Sequence, residues 1–411
     1  MEETPFPDVS TSAVDWQNSY IMIPNAYFYR DFGIIITGGK EYFKKTNGIF
    51  TADISSKLVT AKIEFIPFDD QGLNTSDLTM DVFDIICASW IRQVNQAEEA
   101  IWISTDDILK ARGIKTQKSG TGRRGGYKAK TRKKIASEIS TLANMWITIA
   151  AMQVVKQSLN KKNTENFIEK TPALIIVDKV EKENKKGKKI DYAWKFRLGD
   201  VFADSIFGKN RQTALLSNKA VEYNHKLHTW EKRLTRYLSW IWRNRQATGN
   251  YMQPFEIKTL LKAIQEKVNT KHPNRVKDRL EKALDTLQKD EVIAGWEYEK
   301  RHNEEKIGKK GWIKEWLLTK IVIEPPTPIF GQYAKIRKFK EKTIKKTAQK
   351  DDTLIGELNA IMQSENLSKL QLSEQIGISV DQLSQILTKH NRKKHAKTID
   401  KIQRWFKQKD V

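Results

Sequence analysis

The sequence predicts an α+β chain: tandem winged-helix domains with an N-terminal β-rich segment and a C-terminal all-α helix-turn-helix domain. Three observations lead there. First, from Pro273 onward the apolar residues Val276, Leu280, Ala283, Leu284 and Leu287 recur every three or four positions, which is the stripe of an amphipathic helix. Second, that helix runs into two β-type runs, EVIAGWEYE and WIKEWLLTKIVI, separated by a basic, glycine-containing loop, KRHNEEKIGKKG. Third, the order helix, strand, helix, helix, strand, loop, strand also reads out further upstream with little identity of sequence. In a winged helix of this order the helix before the hairpin enters the DNA major groove and the loop lies on the backbone. A core helix followed by a surface hairpin with solvated charges is the alternative for the Pro273 stretch alone, so the remaining elements decide.

Residues 1–15 lack periodicity and read as a leader. From Trp16 to Phe68 the aromatic-rich runs YIMIPNAYFY, FGIIITGG, GIFTAD and KLVTAKIEFIPF are β-type. Leu78 to Asn95 is a strong amphipathic helix with Asp77 as its cap, and Cys87 within it suits core packing. A strand, AIWIS, leads to Ser104 or Thr105 capping a helix that stops at Gly113. After the Gly/Arg-rich string KTQKSGTGRRGG comes a helix with Ile135, Ile139 and Leu142 inward, then a strand, WITIAAMQV. ALIIVDKV and YAWKFRL follow as strands around a wing-like EKENKKGKKI. A connector, LGDVFADSIFGKNRQTALLSNKAVEYNH, precedes the helices KLHTWEKRLTRYLSWIWRNR and FEIKTLLKAIQEKV of the second domain. Beyond EPPTPIF a basic linker leads to a tail in which LQLSEQIGISVDQLSQIL has helix-turn-helix spacing, Gly377 at the turn and Ser379 capping. The expected domains are 1–77, 78–208, 209–328, a linker at 329–352, and 353–411.

The chain's 411 residues allow several cores, and its formal charge of +23 points to a polyanionic partner. The charge is uneven: residues 1–77 hold 6 basic and 11 acidic side chains, so the DNA-contacting surface is expected after them. No run approaches the length of a membrane span, the start MEETPFPDVS is acidic rather than a signal peptide, and the single cysteine excludes an internal disulfide. A cytoplasmic protein that binds no membrane is therefore expected.

Catalytic groupings are hard to find. Gly39-Lys40 and Gly208-Lys209 lack the rest of a phosphate-cradling loop. His225 and His228, three apart on an expected helix, have no third metal ligand in view, and no Cys/His cluster has zinc spacing. A rolling-circle nickase would need two histidines flanking one hydrophobic residue, which the sequence lacks. The expectation is a protein that is not an enzyme, with no catalytic residues, metal or cofactor. The DNA-binding candidates are Asn274, Arg275, Lys277 and Arg279 on the helix and Lys306, Lys309 and Lys310 in its wing. Arg123, Arg124, Lys128, Lys130 and Lys133 are those of the first domain, and Gln382, Ser384 and Gln385 those of the tail. Arginine suits guanine and asparagine suits adenine, while lysines suit phosphates.

Several stretches in order bring a family into view: IPNAYFYRDFGI, GLNTSDLTMDVFDII, ILKARGIKTQKS, KIASEISTLANMWITI, FRLGDVFADSIFG, TWEKRLTRYLSWIWRNR and NRVKDRLEKALDTL. Together they span about residues 20–300, and their order and spacing resemble those of the TrfA-type plasmid replication initiators, dual winged-helix proteins that bind iterons. The Gly/Arg insert after Ser119 and the helix-turn-helix tail depart from that pattern. So does the clamp-binding pentapeptide, of which Gln212–Leu216 (QTALL) is a loose imitation. The resemblance implies binding to direct repeats at an origin, opening of adjacent A·T-rich DNA, recruitment of host initiator and replicative helicase, and a homodimer made through the first domain. A transcriptional regulator on a promoter operator is the alternative. A nicking enzyme and a basic structural or partition protein stand further off.

Overall fold

The computed structural model describes residues 19–55, 60–67, 73–117, 126–149, 169–183, 189–207, 212–268, 272–300, 311–333, 356–365, 367–387, 398, 401–402 and 404–406, in a mixed α+β fold with several small sheets. It divides into a unit of residues 1–333 and a second of residues 334–411.

Strand β1 (Tyr20–Pro24) leads into helix α1 (Tyr27–Gly38), which corrects the β-type expectation for YFYRDFGIIITG. Phe28, Tyr29, Phe32, Ile35 and Ile36 are all buried. Burying that three- and four-residue recurrence outweighs the strand preference of aromatic and β-branched residues. Strands β2 (Lys44–Thr46), β3 (Ile49–Ser55) and β4 (Thr60–Phe65) form an antiparallel meander. The two-residue turn between β2 and β3, Asn47-Gly48, has φ of 49° and 81°, as a tight hairpin requires.

Helix α2 (Asp77–Gln93) is capped by Ser76 and not by Asp77. The Ser76 hydroxyl accepts from the Leu78 N–H, and the Thr79 side chain accepts from the Ser76 N–H. Asp77 therefore lies in the first helical turn, free for another partner. Strand β5 (Ile101–Ser104) and helix α3 (Thr105–Ala111) follow, with Ser104 and Asp107 in a reciprocal capping box and Gly113 at φ 65° ending the turn. Helix α4 (Ala129–Ala143) buries Ile135, Ile139 and Leu142 as the spacing predicts. Strand β6 (Met145–Ile149) pairs with β4 on one side and with β7 (Glu169–Pro172) on the other, completing a five-stranded sheet in the order β2-β3-β4-β6-β7. Residues 44–65 and 145–172 thus share one sheet. Strands β8 (Leu174–Glu183) and β9 (Lys189–Leu198) join β5 in the order β5-β9-β8. Helix α5 (Asp200–Phe207) and strand β10 (Thr213–Ser217) come next, and β10 pairs antiparallel with β1, Tyr20 opposite Ser217.

A short helix α6 (Lys219–Glu222) precedes α7 (Thr229–Arg245), and His225 and His228 lie in the turn between them rather than on a helix. Strand β11 (Phe255–Glu256) and helix α8 (Ile257–Ala263) follow; α8 is shorter than expected, with Gln265 at φ 62° just beyond it. Helix α9 (Pro273–Lys289) leads to strand β12 (Gly295–Tyr298). The expected strand WIKEWLLTKIVI is corrected: its first half is helix α10 (Trp312–Leu318), and only Lys320–Glu324 forms a strand, β13. Gly311 at φ 88° starts the helix, and Trp312 and Trp316, four apart, are both buried, whereas Ile321 and Ile323 alternate as a strand should. The sheet order is β11-β13-β12, matching β5-β9-β8 element for element.

In the second unit, helices Lys369–Ile376 and Val380–Leu387 flank Gly377, which is left-handed at φ 74°. Leu358, Leu372, Ile376, Leu383, Ile386 and Ile402 form its core.

Candidate nucleic-acid interface

Helix α9 begins with Pro273 at its first turn, where the missing N–H has no intrahelical role. Its stripe Val276, Leu280, Ala283, Leu284 and Leu287 is buried, as the spacing requires. On the opposite face the four candidates part company. Asn274 and Arg275 are exposed, and their side chains bond to no other described residue. Lys277 is drawn in: its ammonium pairs with Glu281 at 2.8 Å, and Glu281 also accepts from the Tyr298 hydroxyl at 2.8 Å. Trp316 Nε1 donates to the same hydroxyl at 3.2 Å, tying the helix to its sheet and to α10. The Arg279 guanidinium lies 4.5 Å from the Trp230 ring centroid, and Nη2 donates to Thr229 Oγ1 at 3.4 Å.

Helix α4 repeats this layout. Ile135, Ile139 and Leu142 have the spacing of Leu280, Leu284 and Leu287. Superposing those registers puts Lys130 beside Arg275, Arg132 beside Lys277, and Lys134 beside Arg279. The middle cation is again used internally, since Arg132 makes two hydrogen bonds, 2.6 and 2.7 Å, to the Asp106 carboxylate, which holds its pKa up. The third again faces the segment entering α7: Lys134 Nζ lies 2.9 Å from His225 Nε2. Burial, with Lys134 and Arg112 nearby, pushes His225 down to about 4, so near neutral pH its ring is uncharged and accepts from Lys134. Lys128, Lys130 and Lys133 are exposed, with no side-chain partner among the described residues. Arg123, Arg124, Lys306, Lys309 and Lys310 lie outside the described residues.

The tail candidates differ again. The Ser379 hydroxyl caps the helix Val380–Leu387 by accepting from the Gln382 N–H at 3.2 Å, and the Gln382 amide oxygen accepts from the Ser379 N–H at 3.1 Å. Gln382 is thus occupied in a cap; Ser384 is half-buried and Gln385 exposed.

Beneath the two cationic helices lies a cluster that sequence reasoning missed. Asp77, Asp81 and Asp84 fall on one stripe of α2 and meet Lys232, Arg233 and Arg236 of α7. Arg233 pairs with Asp77 at 2.8 Å, Lys232 with Asp81 at 2.7 Å, and Arg236 with both Asp81 and Asp84 at 2.7 Å. Arg112 approaches Asp81 at 3.3 Å as an ion pair, and the Tyr29 hydroxyl donates to Asp84. Asp81, Asp84 and Lys232 are fully buried. Burial pushes Lys232 down to about 8 against the pull of Asp81, and it raises Asp84, whose carboxylate Arg236 stabilises. Lys232 also donates to the carbonyls of Ala220 and Tyr223. The signal was present: three aspartates at helical spacing in an otherwise apolar run need buried cations. Reading Asp77 as a cap hid it.

No family model matches the chain, and no curated protein matches its sequence. The fold is similar to two crystal structures of RctB. A selenomethionine derivative of its domains 2 and 3 gives a TM-score of 0.37 at 12% identity, covering 63% of this chain and 85% of that one. A second structure of domains 2–3 gives 0.41 at 12% identity, covering 72% and 98%.

Among the described residues no group of three or more His, Cys, Asp or Glu is placed to hold a metal ion, and no helix is long and apolar enough to cross a membrane.

Proposed function

We propose that the chain is a sequence-specific double-stranded DNA-binding protein of the TrfA-type, dual winged-helix kind, which binds repeats at a replication origin and initiates plasmid replication. One observation carries the reading. Two three-stranded sheets with the same strand order each have, in the first turn of the helix before their hairpin, a cation bonded to no other described residue: Lys130 and Arg275. First-turn positions are those from which such a helix reaches base edges and phosphates. The +23 charge supplies the salt-sensitive, sequence-independent part of the affinity. Reading two successive grooves through one chain multiplies modest contacts into specificity.

In this reading the protein performs no catalysis and needs no metal or cofactor. Its partners are origin DNA, the host initiator, the replicative helicase and a second copy of itself, and it works in the cytoplasm on plasmid DNA. Footprinting on DNA flanking its gene, at two salt concentrations, tests this. Regularly spaced protected repeats, together with replication of a plasmid carrying them only when the protein is supplied, are the expected result. One protected operator at a promoter would replace the proposal with a transcriptional regulator. Open circles from supercoiled origin DNA with Mg²⁺ would replace it with a nickase, and diffuse, salt-labile protection would leave a non-specific basic protein.

A further inference from the structure

A continuous path of side-chain contacts joins the two proposed reading helices. Glu138 of α4 accepts from the Thr79 hydroxyl of α2 at 2.6 Å, and Arg279 of α9 lies on Trp230 of α7. Helix α2 packs on α4, α7 packs on α9, and between α2 and α7 lies the buried charge cluster. Arg233 extends the junction, donating also to the carbonyls of Thr37 and Ile264.

Resting on the DNA-reading proposal above, we infer that Asp77, Asp81, Asp84, Lys232, Arg233 and Arg236 are positioning residues for DNA recognition: they lock α4 and α9 at one separation and one rotation, so the protein accepts its two half-sites at a single spacing. A hydrophobic contact between domains permits sliding. Three carboxylates interleaved with three cations do not, because each displaced ion would be left buried and unpaired. DNA cannot yield in the protein's place, since a few base pairs of duplex resist the half-turn twist that a shifted half-site would demand.

The test starts from the full chain and a site selected from a random-sequence DNA pool. Single base pairs, then about half a helical turn (about 5 bp), are inserted between the halves of that site. The wild-type protein is expected to lose affinity about a hundredfold at half a turn, since one helix then faces the wrong side of the duplex. Arg236→Lys and Asp77→Asn are expected to bind the unaltered site within a few fold of wild type but to tolerate insertions of one or two base pairs. Lowered stability alone would weaken every spacing equally, so the change in spacing preference separates positioning from folding. If wild type binds all spacings alike, the modules swing independently and the inference fails, whatever the variants do. If no selected site emerges at all, the reading of DNA sequence fails and takes this inference with it.

Discussion

Within residues 1–333 a first region around α4 and a second around α9 share an order of elements and a cation layout, yet they hold their exposed helix by different means. In the first, Arg132 reaches across to Asp106 at the start of α3, and the apolar stripe is interrupted by Glu138 where the second region has Ala283. In the second, Lys277 stays on its own helix, and the sheet comes to it through Tyr298 and Trp316. The first region gains a five-stranded neighbour sheet, while the second gains α10 between its hairpin strands. What the two keep in common is a first-turn cation left over once internal partners are satisfied. The difference teaches that a scaffold can be rebuilt around an exposed first-turn cation without moving it.

The largest expected effect breaks the joint between the regions. Asp81→Ala leaves Lys232 and Arg236 buried without their shared carboxylate, and should cost about 3–5 kcal/mol in urea denaturation. A loss under 1 kcal/mol would mean that water or other groups already solvate those cations.

Next come the proposed reading positions. Arg275→Ala should weaken specific binding by about 1–3 kcal/mol and relax the preference at one base pair. Lys130→Ala should act in the other half-site, reducing the slope of log affinity against log salt by about 1 if its contact is a phosphate. Footprints and titrations at several salt concentrations would show it, and equal effects of both variants on one half-site would end the two-region comparison.

A smaller effect is expected within the second region. Arg279→Ala should lower stability by about 0.5–1 kcal/mol by removing the guanidinium from Trp230, with DNA preference unchanged. Altered base preference would return Arg279 to the reading face.

The smallest concerns His225. Its folded pKa of about 4 lies below the ordinary histidine value, so between about 6.5 and 4 the unfolded chain binds more protons than the folded one. Stability is therefore present above that window and falls as pH drops through it. The melting temperature of His225→Gln should fall less than wild type's over the same range, and parallel curves would mean that burial does not hold His225 below the ordinary histidine range.

Where one periodicity dominated, the sequence was readable. The α9 stripe, Ile135, Ile139 and Leu142 on α4, and the turns at Gly113 and Gly377 are found where their spacing and chemistry put them. Local composition misled where it opposed the pattern of burial. Residues 27–38 are rich in isoleucine and aromatics and yet bury a helical face, and Trp312–Leu318 has strand-like residues behind a left-handed glycine. Of the candidate site, the exposure of Lys128, Lys130, Lys133, Asn274 and Arg275 was legible. The Lys277–Glu281 pair, four apart on one helix, was open to sequence reading, whereas Asp106, Trp230 and His225 become neighbours of Arg132, Arg279 and Lys134 only through the fold. The charge cluster joins residues about 150 positions apart, beyond the reach of any local pattern.

The pairing of β1 with β10 has a consequence for how the protein is made. Tyr20 is translated long before Ser217, its partner in the ribbon. At ordinary synthesis rates about 10–40 s separate them. Among the described residues β10 is the only strand that pairs with β1, so the ribbon cannot close before β10 has been made. Shielding that strand on the ribosome, or shortening the wait by synonymous codons, should change the yield of folded protein without altering one residue of it.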